Sequence, residues 1–182
     1  MNFSIYPKSK NMENQTTTTR TALKWGVIIG IISILYSTAI MVSGQIGNQA
    51  LGYPVYLIIA VGIYLAMNDF KKENQGFMSY GQGLGLGTLM SAISGLISSF
   101  FSMAYMKFID PTITDQIMKK AVEEMEKKGI PDEQIDQAME MTKMFMNPGA
   151  MFVMGLLGSI LVGFMLSLII AAIVKKDKSV FE

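Results

Sequence analysis

The chain has no histidine and no cysteine among its 182 residues, and only 16% of them are charged. Without cysteine there is no disulfide, no thiolate metal site and no lipid-modified N-terminal cysteine. Without histidine the usual proton carrier near neutral pH is missing, so an acid, base or nucleophile would have to be a carboxylate or a hydroxyl. Fifteen basic residues nearly balance fourteen acidic ones, and no cluster of Lys and Arg stands out, which argues against a nucleic-acid partner.

Apolar residues fill the space that charge leaves, at 51% of the chain. Four runs, 22–42, 50–67, 84–106 and 150–174, contain no Asp, Glu, Arg or His. A helix of a soluble bundle keeps one polar side, whereas these are apolar all round. Each is long enough to cross a hydrocarbon core of roughly 30 Å. They predict an all-α fold, a four-transmembrane-helix bundle, with spans over about 22–43, 50–67, 80–106 and 149–174. Residues 1–21 read as a polar cytosolic lead and 22–182 as a single membrane domain. No A-x-A site closes the first run, so the first helix is expected to stay attached. Met12 opens "MENQTTTTRTALKWG" and is the alternative start to Met1.

Charge sets the orientation. Lys8, Lys10, Arg20 and Lys24 precede or open the first span, Lys71 and Lys72 lie in the second connection, and Lys175, Lys176 and Lys178 lie in the tail. By the positive-inside rule these segments face the cytoplasm, with both termini inside. The first connection, "SGQIGNQ", is uncharged, and the third, 107–149, has six Lys against nine acids, so both are expected outside. The shortness of the first connection makes helices one and two antiparallel neighbours. Trp25, Phe77 and Tyr80 suit the boundary between headgroups and hydrocarbon.

The third connection carries a pattern of its own. Ile113, Ile117, Ala121 and Met125 recur at helical spacing with charged residues between them. Lys119 with Glu123, Lys120 with Glu124, Glu123 with Lys127, and Glu124 with Lys128 are pairs one turn apart. Gly129 ends this helix, Pro131 fits the start of another with Ile135, Ala138, Met139 and Phe145 inward, and "NPG" at 147–149 ends that one. An extracytoplasmic amphipathic helical hairpin is expected over 112–146. It either rests on the bundle and lipid surface or docks a partner.

The stretch "GQGLGLGTLMSAISG" at 81–95 invites a nucleotide reading. It lacks the Gly-Lys-Ser/Thr of a phosphate loop, Thr88 stands where a dinucleotide fingerprint needs its third glycine, and no strand-like run precedes it. At four-residue steps it is instead a row of small side chains, Gly83, Gly87, Ser91, Gly95 and Ser99. Gly155, Ser159, Gly163, Ser167 and Ala171 repeat the row in the last span, with a shorter version at Gly26 and Gly30. In lipid, helices associate through close packing, and such rows let backbones approach. The last two spans are expected to meet along these rows within one chain, or one row serves a homodimer. A straight helix drifts 40° per step, so two or three positions per row are expected in contact.

Catalytic chemistry finds little footing. Asp69 and Glu73 beside Lys71 and Lys72 read as an interface anchor, and Asp110 before Pro111 reads as a turn residue. No spanning segment has the mid-membrane ionisable residue on which pumps and many transporters depend. Met139, Met141, Met144, Met146, Met151 and Met154 crowd the outward side, where thioethers could select Cu(I), but Met139 and Met141 point about 200° apart on a helix. No enzyme activity, cofactor or metal is expected.

The segments "FKKENQGFMSYGQGLGLG" at 70–87 and "ISGLISSFFSMAYMKFIDP" at 93–111 resemble a family of small integral membrane proteins of Bacteroidota known as domain of unknown function 4199. The resemblance covers nearly the whole chain from about Thr19, and rests on the polar turn ending in Ser-Tyr-Gly and on Phe-Ile-Asp-Pro. It implies a four-helix protein of the bacterial inner membrane and assigns no residue a role. Two functions stay open. One is a non-enzymatic structural or partner-binding protein whose 112–146 hairpin meets an envelope protein. The other is a small homodimeric channel or transporter for an uncharged solute, with Tyr56 and Tyr64 as lining residues.

Overall fold

A computed structural model describes residues 17–177. The reading of Met12 as a start, and Lys8, Lys10 and Lys178, lie outside the described residues. Of the described residues, 84% are helical. Among the described residues six α-helices follow in order: α1 Thr18–Val42, α2 Tyr53–Glu73, α3 Tyr80–Phe108, α4 Ile113–Lys127, α5 Asp132–Phe145 and α6 Pro148–Val174. A short 3-10 turn, Gln49–Gly52, leads into α2. Four of these helices, α1, α2, α3 and α6, are long and apolar enough to cross a membrane, which makes this a multi-pass membrane protein.

Local chemistry explains where the helices begin. Thr17 caps α1 by accepting from the Arg20 amide, so the helix starts at Thr18, ahead of the expected 22. Ser79 and Gln82 close a reciprocal capping box at the head of α3. Asn147 accepts from the Ala150 amide, with Pro148 in the first turn of α6, where a missing donor costs little.

Helix ends differ more from the hydropathy reading. Helix α2 runs on to Glu73, six residues past the expected 67, because hydrocarbon thickness limits the apolar stretch and leaves the hydrogen-bonded helix free to continue. It stops where Gly76 takes φ +86° and its amide bonds back to the Lys71 carbonyl at 2.7 Å. Gly129, at φ +72°, ends α4, and Pro131 then caps α5 from outside, so that helix opens at Asp132.

Helix α3 is the centre of the bundle, packing most extensively on α6 and next on α1. Helices α1 and α2 also touch, but α1 spends more of its surface on α3 than on its hairpin neighbour. The reason lies in α1's glycines: a Cβ at Gly26 would fall 2.8 Å from the Ile93 side chain, and one at Gly30 would fall 3.3 Å from Ile97. Two notches one turn apart receive two isoleucines one turn apart. The core inside the four helices holds Ile29, Ile59, Ile63, Met67, Phe70, Leu86 and Met90, concentrated toward the end that carries Lys71 and Lys175.

The α4–α5 hairpin stands at the opposite end. Helix α5 packs on α4. The hairpin joins the bundle through Ile113, buried with Ile46 and Met106, and through Lys120, whose ammonium donates to the Gly44 carbonyl at 3.1 Å.

Candidate functional site

The small residues of α3 and α6 face one another rung by rung. A Cβ added to Gly87 would collide with the Ser167 side chain, one on Gly163 with Ser91, and one on Gly95 with Ser159. At the two ends, a Cβ on Gly83 would lie 2.9 Å from the Ala171 Cβ, and one on Gly155 would lie 2.6 Å from Ser99 Oγ. Each rung thus sets a glycine against a serine or alanine, and each step climbs four residues on α3 while descending four on α6.

All five rungs are in contact, more than the two or three that straight rods allow. From Gly83 to Ser99 the seam covers about 24 Å of helix at 1.5 Å per residue. A row repeating every four residues stays on an interface for that length only if the two helices wrap around each other right-handedly, since its period exceeds 3.6. Within the "GQGLGLG" run the glycines divide into two sets. Gly83 and Gly87 lie in the seam, whereas a Cβ at Gly81 or Gly85 would meet open space.

Two of the four serines in the seam, Ser159 and Ser167, satisfy themselves locally, as does Ser94 beside it. Ser167 Oγ donates to the Gly163 carbonyl, Ser159 Oγ to Leu156 and Ser94 Oγ to Ser91. Ser91 Oγ is buried with no partner among the described residues.

At its hairpin end the seam opens into a crevice of about 290 Å³ bounded by all four spanning helices. Ser33 comes from α1, Val55, Tyr56 and Ile59 from α2, and Ser98 and Gly158 from α3 and α6. A second hollow of about 250 Å³ shares Ser98, Ser99 and Gly155 with it and continues to Ser102, Met106 and Met151 at the root of the hairpin. No charged side chain lines either one. Toward the lysine-bearing end the bundle closes over Ile63, Leu86, Met90 and Ser91, all fully buried. Tyr56 lines the crevice and is half exposed; Tyr64, also exposed, is not among its lining residues.

The lysine-bearing end is tied by polar bonds that the sequence pattern did not announce. Asp69, grouped by sequence with Glu73, accepts instead from Lys24 at 2.7 Å and from the Trp25 indole N–H at 2.8 Å, joining α2 to α1. Lys71 donates to the carbonyl of Val174, the last residue of α6, at 2.9 Å. Met78 and Lys176 exchange two backbone hydrogen bonds of 2.9 Å, tying the α2–α3 turn to the tail. No spacing rule could have found these partners, because 45 and 103 residues separate the two side-chain pairs.

On the hairpin, α5 buries Ile135 and Met139 and leaves Met141, Met144 and Phe145 exposed. The outward methionines are therefore divided between covered and open positions.

No curated protein and no solved structure matches the chain. A family model matches residues 24–176, which take in all six helices but the first turns of α1. The chain belongs to the family described as Protein of unknown function (DUF4199).

Proposed function

We propose that this is a non-enzymatic protein of the bacterial inner membrane, with both termini cytoplasmic, that presents its outer hairpin to an envelope protein partner. The observation that carries this reading is the state of α5: Met144 is 75% exposed and Met141 67%, on a hairpin whose first helix meets the bundle through Ile113, Ile117 and Lys120. Methionine is an adaptable contact residue, and exposed apolar side chains beside charged ones suit a protein interface. The orientation draws on Arg20, Lys24, Lys71, Lys72, Lys175 and Lys176, which cluster at the end away from the hairpin.

The absence of native cysteine makes the test direct. Single cysteines at Glu126 and Gln75 should react oppositely with a membrane-impermeant maleimide, Glu126→Cys from outside spheroplasts and Gln75→Cys only after lysis. A photo-crosslinker at Met144 in living cells should then yield one discrete protein adduct that Met141→Lys abolishes. Adducts to lipid alone would overturn the partner reading, and labelling of both cysteines from one side would overturn the topology.

A second reading, a small homodimeric channel or transporter for an uncharged solute, is favoured by the charge-free crevice. That crevice ends against the buried Met90 and Ser91 rather than crossing the bundle, so conduction would need the seam to open. Flux of glycerol into proteoliposomes at a rate above protein-free vesicles is the outcome that would support it.

A further inference from the structure

We propose that the crevice at the hairpin end of the seam is a binding site for a neutral membrane lipid, one whose head carries ester or hydroxyl oxygens and no charge. The proposal rests on the membrane placement of the bundle and is independent of any partner at the hairpin.

The first argument is hydrogen bonding. In hydrocarbon a hydroxyl without a partner is costly, and serines in spanning helices ordinarily donate to a carbonyl one turn back. Ser37, Thr88, Ser94, Ser159 and Ser167 all do so. Ser33, Ser99 and Ser102, with Tyr56, donate no hydrogen bond to any described residue, and all four line the crevice or its continuation. Thr38, Tyr64 and Ser91 also lack such a bond but line neither hollow, so what sets these four apart is that they gather in one place.

The four hydroxyls also come to one level. Gly30 faces Ile97, so Ser33, three residues further along the parallel helix α1, lies level with residues 99–102 of α3. Gly62 faces Ile29, which puts Tyr56, six residues toward the hairpin end of the antiparallel α2, at the same height. Deeper in, the hydroxyls of Ser94, Ser98 and Ser159 are already bonded to carbonyls, and Ile59 and Val162 supply apolar wall. Free donors above and satisfied apolar surface below match a molecule with acceptor oxygens at one end and a hydrocarbon chain at the other.

Depth and access point to the bilayer as its source. From Ser94 to Met106 the two hollows run along about 18 Å of α3, close to half of a hydrocarbon core of roughly 30 Å, the reach of one leaflet. The rim residues Tyr56, Gly155 and Gly158 are exposed on the side of the bundle, where a membrane lipid would enter sideways. A charged headgroup finds no counter-charge among the lining residues, and an unpaired charge inside the bilayer is expensive.

Gly158 gives the test its handle, because it lines the crevice and a Cβ there meets nothing within 4 Å. The full-length protein is reconstituted in liposomes doped with a diacylglycerol carrying a chain-terminal photoreactive diazirine, or with a phosphatidylglycerol carrying the same chain. Labelled peptides are then mapped by mass spectrometry. The diacylglycerol probe should label residues 55–59, 94–102 and 155–162 about fivefold or more above the phosphatidylglycerol probe, the worth of roughly one hydrogen bond. Gly158→Leu should abolish that excess with the melting temperature unchanged. Should Gly158→Leu fail to fold, Ser99→Ala removes a donor without adding bulk against Gly155 and should lower the excess in the same way. Equal labelling by both probes, or an excess that survives the variants, overturns the proposal. Displacement of the label by millimolar glycerol would also overturn it, assigning the site to a water-borne solute.

Discussion

The two ends of this bundle are built on different principles. At the lysine-bearing end, four elements are joined by specific polar bonds: Trp25 and Lys24 to Asp69, Lys71 to the end of α6, and the α2–α3 turn to Lys176. At the hairpin end the Lys120 ammonium reaches the Gly44 carbonyl and the Tyr36 hydroxyl donates to the Leu51 carbonyl, but two hollows lie open, and large apolar residues such as Phe108 and Met144 are exposed. Between them runs the α3–α6 seam, tied at its lysine-bearing end by the Tyr80 hydroxyl donating to the Leu168 carbonyl at 3.4 Å and held beyond that by Cβ-level contact at every fourth residue. One end is thus the more tightly tied, and the more open surface is left to the other.

The seam is where this contrast breaks most easily. Gly87→Ile with Gly163→Ile forces side chains into space already held by Ser167 and Ser91. Overpacking of this kind costs about 1 to 3 kcal/mol per site, so the double variant is expected to lose several kcal/mol and to melt far below the parent in detergent. Gly85→Ile, two residues from Gly87 in the same run, meets nothing within 4 Å and should melt like the parent or slightly higher. If both behave alike, the seam does not hold α3 to α6.

That pair of glycines also marks where sequence reading stops. The four apolar runs are visible because hydrocarbon selects composition over whole segments, and the rows of small residues are visible as spacing. What spacing cannot convey is that Gly83 meets Ala171 and Gly87 meets Ser167, because an antiparallel register depends on the loops and on the third helix. Spacing already tells Gly87 from Gly85, since only Gly87 continues into a row of small residues, but what Gly87 meets appears only once α6 is placed. Asp69 has the same history: its neighbours in sequence are Lys71 and Lys72, and its partners are 44 and 45 residues away. The crevice is the least legible, since its lining comes from four helices that only packing brings together.

The polar end can be loosened by degrees. Asp69→Leu removes the acceptor of the Trp25 indole and should cost about 1 kcal/mol. Trp25 is the sole tryptophan, so its fluorescence should shift to the red as the ring gains freedom. Asp69→Asn keeps an acceptor for the indole while discarding the charge beside Lys24. Its emission should stay near that of the parent, because the Lys24 side chain is 54% exposed and surface pairs contribute little. A red shift as large with Asn as with Leu would mean that the charge, and not the hydrogen bond, positions Trp25.

Lys71→Met should do less, about 0.5 kcal/mol, since it deletes a cation and a donor from the C-terminus of α6 while the two Met78–Lys176 bonds persist. Hydrogen exchange should quicken in the last turn of α6 and remain unchanged in its first turns. Exchange that rises throughout α6 would show that Lys71 supports the seam as well as the helix end.

The smallest effect is expected at Ser91, and its sign is informative. The side chain fills the gap over Gly163, so its Cβ contributes packing, while its hydroxyl is buried without a partner. Ser91→Ala keeps the first and deletes the second. Removing an unsatisfied polar group recovers part of its desolvation cost, so the variant should melt at or slightly above the parent temperature. The equivalent change at Ser167, whose hydroxyl donates to Gly163, deletes a satisfied group and should be mildly destabilising, by about 0.6 kcal/mol, the average for side-chain hydrogen bonds in membranes. If Ser91→Ala is instead the more damaging of the two, its hydroxyl has a partner across the seam, and α3 and α6 are held by polar contact as the lysine-bearing end is.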